Sequence, residues 1–285
     1  MKNAAINFWR HMSKILISSQ LDRELLLDMF VPASYREGDP MVLVFDGQDW
    51  KGLRLFELLE KIMKAGLTLL LVVVAMHAGK RLQEYGLAGI ADCRGRGVRA
   101  DQNARFVVEE LLLWLEKEEG LRSVPERRFV VECSLGGLTA FDLFWKHPKH
   151  FAGLAALSGS FWWRGRDLDQ GYTDQDRVAH RMIRMGEHRA GLRFWLQAGT
   201  RDETNDRNQN GIIDSIDDTL DLVTELIKKG YRQGVEVVYH QVKGGRHDLP
   251  TWKKAFSIAL SWLIQSNLEA TTQFEVEATT IYIGE

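Results

Sequence analysis

The stretch Phe129-Val130-Val131-Glu132-Cys133-Ser134-Leu135-Gly136-Gly137-Leu138-Thr139-Ala140-Phe141 decides the fold. A β-rich run enters it, two glycines break it, and an apolar segment with helical spacing leaves it. A strand turning sharply into a helix with a serine at the corner is the layout of a nucleophile elbow. That turn strains the serine backbone, lifts the hydroxyl clear of the sheet, and aims the next residue's N–H at a developing oxyanion. The usual pattern is G-x-S-x-G, and here Glu132 stands at its first position. A small residue is expected there because the elbow packs tightly on its helix. A glutamate there must find space and a partner or it strains the elbow, and the expectation is lower turnover than with glycine. A plain strand-to-helix turn also accommodates Ser-x-Gly-Gly, so the flanking chain has to discriminate.

Outward from the elbow, short apolar runs alternate with helix-period segments. Strands are predicted at Met41–Phe45, Leu67–Ala75, Arg127–Cys133, Phe151–Ser158, Arg193–Ala198 and Val235–Val242, and helices at Leu53–Met63, Phe106–Glu118, Gly136–His147, Asp217–Lys229 and Trp252–Ser266. Continuous apolar strands suit a sheet buried on both faces, and their alternation with helices predicts an α/β fold with a doubly wound, mostly parallel sheet. Lys14–Ser18 and Arg23–Val31, joined through Gln20-Leu21-Asp22, predict an N-terminal hairpin. Two irregular segments, residues 77–97 and 159–191, separate the elements, and loops that long in a compact domain tend to be functional. No repeat or break in composition marks a second domain. The organisation expected is a lead-in at 1–13, one catalytic domain at 14–268, and a tail at 269–285 with β-like alternation.

Composition sets outer limits. The 285 residues carry a net charge of −2, with 45% apolar and 27% charged side chains. That is ordinary for a soluble domain and offers no electrostatic case for nucleic acid or an anionic membrane surface. The two cysteines, Cys93 and Cys133, form neither a disulfide framework nor a metal-type pair. The apolar run at 66–76 is too short to span a bilayer. Arg10, His11 and Lys14 interrupt what would be a secretory h-region. A cytoplasmic chain is expected, or an exported one whose signal has been trimmed. Oligomeric state is not legible.

In an open α/β sheet the active site lies at the carboxyl ends of the strands. The residues there are Gln48, His77, Ser134, Ser158-Gly159-Ser160, Asp202 and His247. A serine nucleophile needs a base within hydrogen-bond reach and a carboxylate to orient it. Ser134, Asp202 and His247 occur in the α/β-hydrolase order of nucleophile, acid and base, each just after a predicted strand. Glu203 is the alternative acid. Backbone N–H groups of Leu135 and Gln48 are the expected oxyanion hole. His77, Trp162 and Trp163 are expected to line the substrate pocket. Arg94, Arg96 and Arg99 are either a solvated loop or contacts for an anionic or sugar-linked ester.

Asp46-Gly47-Gln48, Arg81 with Glu84-Tyr85, Cys133-Ser134-Leu135-Gly136-Gly137, Gly199-Thr200-Arg201-Asp202-Glu203 and Gly244-Gly245-Arg246-His247 together resemble one esterase group of the α/β hydrolases. It includes esterase D, enterochelin esterase-like trilactone hydrolases, and the feruloyl and acetyl-xylan esterases of carbohydrate esterase family one. The resemblance covers residues 14–266 and departs at Glu132. It implies the α/β-hydrolase fold, Ser134 as nucleophile, Asp202 as acid, His247 as base, and ester hydrolysis through an acyl-enzyme on a small-molecule substrate. It does not name the ester: sugar-linked, feruloyl and acetyl esters all fit. A thioesterase or acyltransferase with the same triad is the competing enzyme, and a catalytically impaired, ligand-binding relative is the competing non-enzyme.

Residues 206–217 follow the twelve-residue calcium loop position by position. Asp206, Asn208, Asn210, Asp214 and Asp217 supply oxygens at positions one, three, five, nine and twelve, Gly211 the sharp turn, and Ile212 a backbone carbonyl. Asp217 replaces the usual bidentate Glu, and no helix is predicted before the loop. The expectation is a structural Ca2+ bracing the loop that carries Asp202, with no organic cofactor.

Overall fold

The structure is a computed structural model and describes residues 9–64 and 71–271. Eight strands form one sheet: β1 (Trp9–Ser18), β2 (Arg23–Pro32), β3 (Met41–Val44), β4 (Val72–Met76), β5 (Arg128–Cys133), β6 (Gly153–Leu157), β7 (Arg193–Arg201) and β8 (Val237–Arg246), in the order β1-β2-β4-β3-β5-β6-β7-β8. Only β2 runs against its neighbours; from β4 to β8 every pairing is parallel. This is the α/β-hydrolase arrangement. The helices are α1 (Leu55–Lys64), α2 (Ala100–Arg105) continuing through a π-helical turn (Phe106–Leu111) into α3 (Leu112–Lys117), α4 (Ser134–Lys146), α5 (Val178–Met185), α6 (Asp214–Lys229) and α7 (Leu249–Thr271).

The period-two alternation of the central strands splits the core. Leu43, Val74, Val130, Leu154 and Phe194 face one apolar layer with residues of α4, α5 and α6. Val42, Val73, Val131, Ala155 and Trp195 face the other, filled by α1 and α7. Alternate residues therefore look to opposite helical layers, as both-faced burial requires. Local chemistry ends the helices where expected. On α6, Asp214 and Asp217 lie in the first turn, Lys228 and Lys229 in the last, and Gly230 closes it at φ 112°, matching the helix dipole and the left-handed C-cap.

Several boundaries differ from the sequence reading. β1 begins at Trp9, not Lys14, because His11 and Ser13 are strand residues whose polar side chains reach across to Asp28 on β2. α5 lies inside the segment expected to be irregular; Val178, Ala179 and Ile183 bury one face of it, too short a pattern to stand out. β4 begins at Val72, and residues 67–70 of its expected range lie outside the described residues. α7 extends to Thr271, so the expected tail starts within a helix, and the alternation at 272–285 also lies outside the described residues. Among the described residues, no helix is long and apolar enough to cross a membrane.

Candidate active site

Strain concentrates at the strand ends. Three of the six described non-glycine residues with positive φ sit just past parallel strands: Asp46 (48°) after β3, Ser134 (55°) after β5, and Ser158 (46°) after β6. An L-residue holds this conformation only where its surroundings impose it, and such residues cluster at functional sites. Ser134 opens α4 directly from β5. Its Oγ lies 2.9 Å from His247 Nε2, a hydrogen bond between residues 113 apart. His247 leaves β8 immediately after Arg246 and precedes α7. Its ring meets Trp252 edge-on, with centroids 4.8 Å apart at 81°. Burial lowers the imidazole pKa, the Asp202 charge opposes that, and the Arg81 cation adds to it. The imidazole is thus poised neutral, as a general base must be.

Asp202 emerges from β7 where the β7–β8 register shifts between Gly199 and Arg201. A bulge of this kind re-aims the side chain that follows. Asp202 Oδ2 accepts from the Gly199 N–H at 2.9 Å, and a Cβ on Gly199 would lie 2.5 Å from Oδ1. The turn therefore needs glycine. Burial raises the Asp202 pKa; the Gly199 amide, the Ser158 hydroxyl and His247 pull it back. Oδ1 is buried with no hydrogen-bond partner of its own. His247 and Asp202 are electrostatic neighbours, and the bonds that fix Asp202 come from elsewhere.

The loop after β3 faces the elbow. Gly47–Asp49 is a single 3-10 turn. Gln48 Nε2 donates to Asp46 Oδ1 at 3.0 Å, while its Oε1 accepts from the Ala78 N–H at 3.1 Å. With its side chain tied on both sides, Gln48 offers only backbone to the site. The Asp46 carboxylate grips Arg81 through Nε (2.8 Å) and Nη2 (2.7 Å), and the Asp46 N–H donates to the Tyr85 hydroxyl. Leu135 N–H belongs to the first turn of α4, where amides have no partner within the helix. His77 does not turn toward Ser134: its Nε2 lies 2.6 Å from Asp28 Oδ2, and its ring packs on Gly47, where a Cβ would be 2.8 Å from it. It buttresses the turn from behind.

Glu132 finds both space and a partner in the elbow. The residue is 4% exposed, and its side chain lies over Gly136, where a Cβ would sit 2.3 Å from Glu132 Cγ. The space a small residue would provide at 132 is provided by Gly136 instead. Glu132 Oε1 accepts from the Cys133 N–H at 2.8 Å, and Oε2 is buried without a partner. Burial, with the Asp46 charge adding to it, pushes the carboxyl pKa well up. Burial thus favours the neutral form of this carboxyl.

A cavity of about 490 Å³ is lined by Trp162, Arg94, Arg96, Glu203 and Asn205, among others, and by none of Ser134, Asp202 and His247. Arg96 lies 4.8 Å over the Trp162 ring. Trp163 is not part of this wall. It is 0% exposed, donates to the Ile90 carbonyl, and fills the space above Gly86 and Gly97. The adjoining loop 206–217 folds inward: Asn208 and Asn210 Nδ2 both donate to Asp217 Oδ2, and Asp206 accepts from the Asn210 and Gly211 N–H groups. Asp214 is turned to the Arg207 N–H and guanidinium. Among the described residues, no group of three or more His, Cys, Asp or Glu is placed to hold a metal ion.

A model of the "Putative esterase" family matches residues 18–263. The chain belongs to that family. It is 26% identical over 256 residues to the iron(III) enterobactin esterase of Dickeya dadantii, covering 87% of this chain and 53% of that one. Its fold is similar to that of the enterochelin esterase of Shigella flexneri (TM-score 0.67, 21% identity, 90% of this chain and 57% of that one). It is equally similar to a ferulic acid esterase (TM-score 0.68, 14% identity, 90% and 99%). The chain thus spans little more than half the length of these enterobactin and enterochelin esterases. Membership places it among the carboxylic ester hydrolases of α/β-hydrolase fold.

Three features of the esterase site escape a sequence reading. The Asp46–Arg81 pair joins residues 35 apart, the Glu132–Gly136 fit needs coordinates, and Trp252 is hidden in a helical apolar pattern. Ser158 stood in the strand-end inventory, but nothing in its type distinguished it there from Ser160.

Proposed function

We propose that this esterase cleaves a carboxylic ester through an acyl-enzyme on Ser134, with His247 as base and Asp202 as acid. The observation that carries the proposal is the 2.9 Å contact between Ser134 Oγ and His247 Nε2. As Oγ attacks the ester carbonyl, Nε2 takes its proton; the imidazolium then protonates the departing alcohol. Water repeats the sequence in reverse and releases the acid. Asp202 stabilises the imidazolium, and its open Oδ1 accepts from His247 as the bond tightens in the transition state. The Leu135 and Gln48 backbone N–H groups stabilise the oxyanion. The likeness to a ferulic acid esterase supports an acetyl, feruloyl or sugar-linked ester as substrate.

Loop 206–217 takes one Ca2+ in this proposal, held by Asp206, Asn208, Asn210, Asp217 and the Ile212 carbonyl. What supports it is the position-by-position match of 206–217 to the twelve-residue calcium loop; the asparagine N–H groups that donate to Asp217 would turn away to present their oxygens to the ion. Asp214, engaged by Arg207, stays outside the set. The ion is structural and takes no part in the reaction.

The test is steady-state turnover of p-nitrophenyl acetate by wild type and Ser134→Ala. The expected drop is at least about 10³-fold; retained turnover by the alanine form refutes the assignment. Feruloyl, acetyl-sugar, lactone and thioester substrates then rank the ester class.

A further inference from the structure

Of the three strained residues at the strand ends, Ser158 has no role so far. It is 3% exposed, follows β6 directly, and adopts φ 46°. Glycine would occupy that conformation freely, whereas serine is held there at a cost. Its backbone is pinned, since the Ser158 N–H donates to the Gln197 carbonyl at 2.8 Å. Two residues on, the Ser160 N–H donates to the carbonyl of Ser134 at 3.1 Å. The loop after β6 is thus tied to the elbow itself.

The hydroxyl has defined neighbours. Trp252 Nε1 donates to Ser158 Oγ at 3.0 Å. An indole N–H is donor only, so this contact makes the hydroxyl oxygen an acceptor and leaves its proton to be given elsewhere. That proton is available to the Asp202 carboxylate, whose charged form the Ser158 hydroxyl favours. The same Trp252 ring meets the His247 imidazole edge-on at 4.8 Å. One tryptophan therefore touches both the base and the serine that favours the acid's charged form.

We infer that Ser158 and Trp252 are positioning residues: the indole N–H orients the Ser158 hydroxyl, which holds Asp202 in place while the indole ring holds His247. This deepens the proposed mechanism and rests on its assignment of Asp202 and His247. It explains why a serine is kept where glycine would relieve strain.

Ser158→Gly separates this role from a structural one, because it removes the hydroxyl and the backbone strain together. The expected result is an unchanged or higher Tm with kcat lowered about 10- to 100-fold, the scale of a misplaced catalytic group, and KM little changed. A less well-held Asp202 supports the imidazolium less, so the acid limb of kcat/KM moves to lower pH. Trp252→Phe keeps the ring and deletes the donor; it should lower kcat in the same direction. The double variant should be no worse than the poorer single one, because both remove the same link. Full kcat with an unmoved acid limb in Ser158→Gly overturns the inference, as does a double variant whose losses multiply. Ser134→Ala is measured alongside. If it retains turnover, the mechanism itself fails; if it is inactive while Ser158→Gly is fully active, only this inference fails.

Discussion

Gly136→Ala is the substitution whose consequence is most fully determined by the elbow geometry. The added Cβ would stand 2.3 Å from Glu132 Cγ and 3.0 Å from its Cδ. Glu132 is buried, with Oε1 committed to the Cys133 amide, so it has little room to withdraw. Overpacking of this kind costs about 1–3 kcal/mol. Replacing glycine in a helix returns at most about 1 kcal/mol, leaving a net loss of up to about 2 kcal/mol. Tm should fall by roughly 2 °C per kcal/mol lost in a chain of this size. With Glu132→Gly in the background the clash is gone and the helix gain remains, so Gly136→Ala should become neutral or stabilising. The cycle's coupling energy should be about 1–3 kcal/mol. Calorimetry of the four proteins measures it, and p-nitrophenyl acetate turnover reads the same displacement at Ser134 and Leu135. Coupling near zero would mean that Gly136 does not make room for Glu132.

Because burial lowers the His247 pKa, and the base acts when neutral, kcat/KM should keep its plateau to a pH below the 6.5 of an ordinary histidine; a limb above 6.5 would contradict the placement of that ring. Calcium should raise Tm and a chelator lower it, with the difference abolished by Asp206→Ala; an unchanged Tm on adding calcium removes the ion from the proposal. Asp202→Asn should depress kcat with little effect on KM, since the carboxylate acts through the imidazolium and not through the ground-state substrate.

Much of this architecture is written in local pattern. The apolar runs at Met41–Val44 and Arg128–Cys133 announce strands buried on both faces, and the breaks after them mark the sheet end where chemistry gathers. The order of Ser134, Asp202 and His247 is a property of chain topology, so it too is readable. Interactions set by side-chain packing are not. Trp162 and Trp163 are adjacent and identical in type, yet Trp162 borders a cavity and Trp163 fills the core. His77 sits at a strand end like the site residues, but the carboxylate that claims it is Asp28, 49 residues earlier on the antiparallel hairpin. Glu132 looked like a defect because only one side of its contact lies in the motif's first position; the other side is Gly136, whose vacancy shows only in three dimensions.

The claim that Ser134 is the nucleophile is tested most directly by covalent labelling with a fluorophosphonate, followed by peptide mass mapping. A single stoichiometric adduct on the peptide carrying Ser134 is expected, lost in Ser134→Ala and slowed in His247→Ala. No adduct, or one on another residue while ester turnover persists, would contradict it.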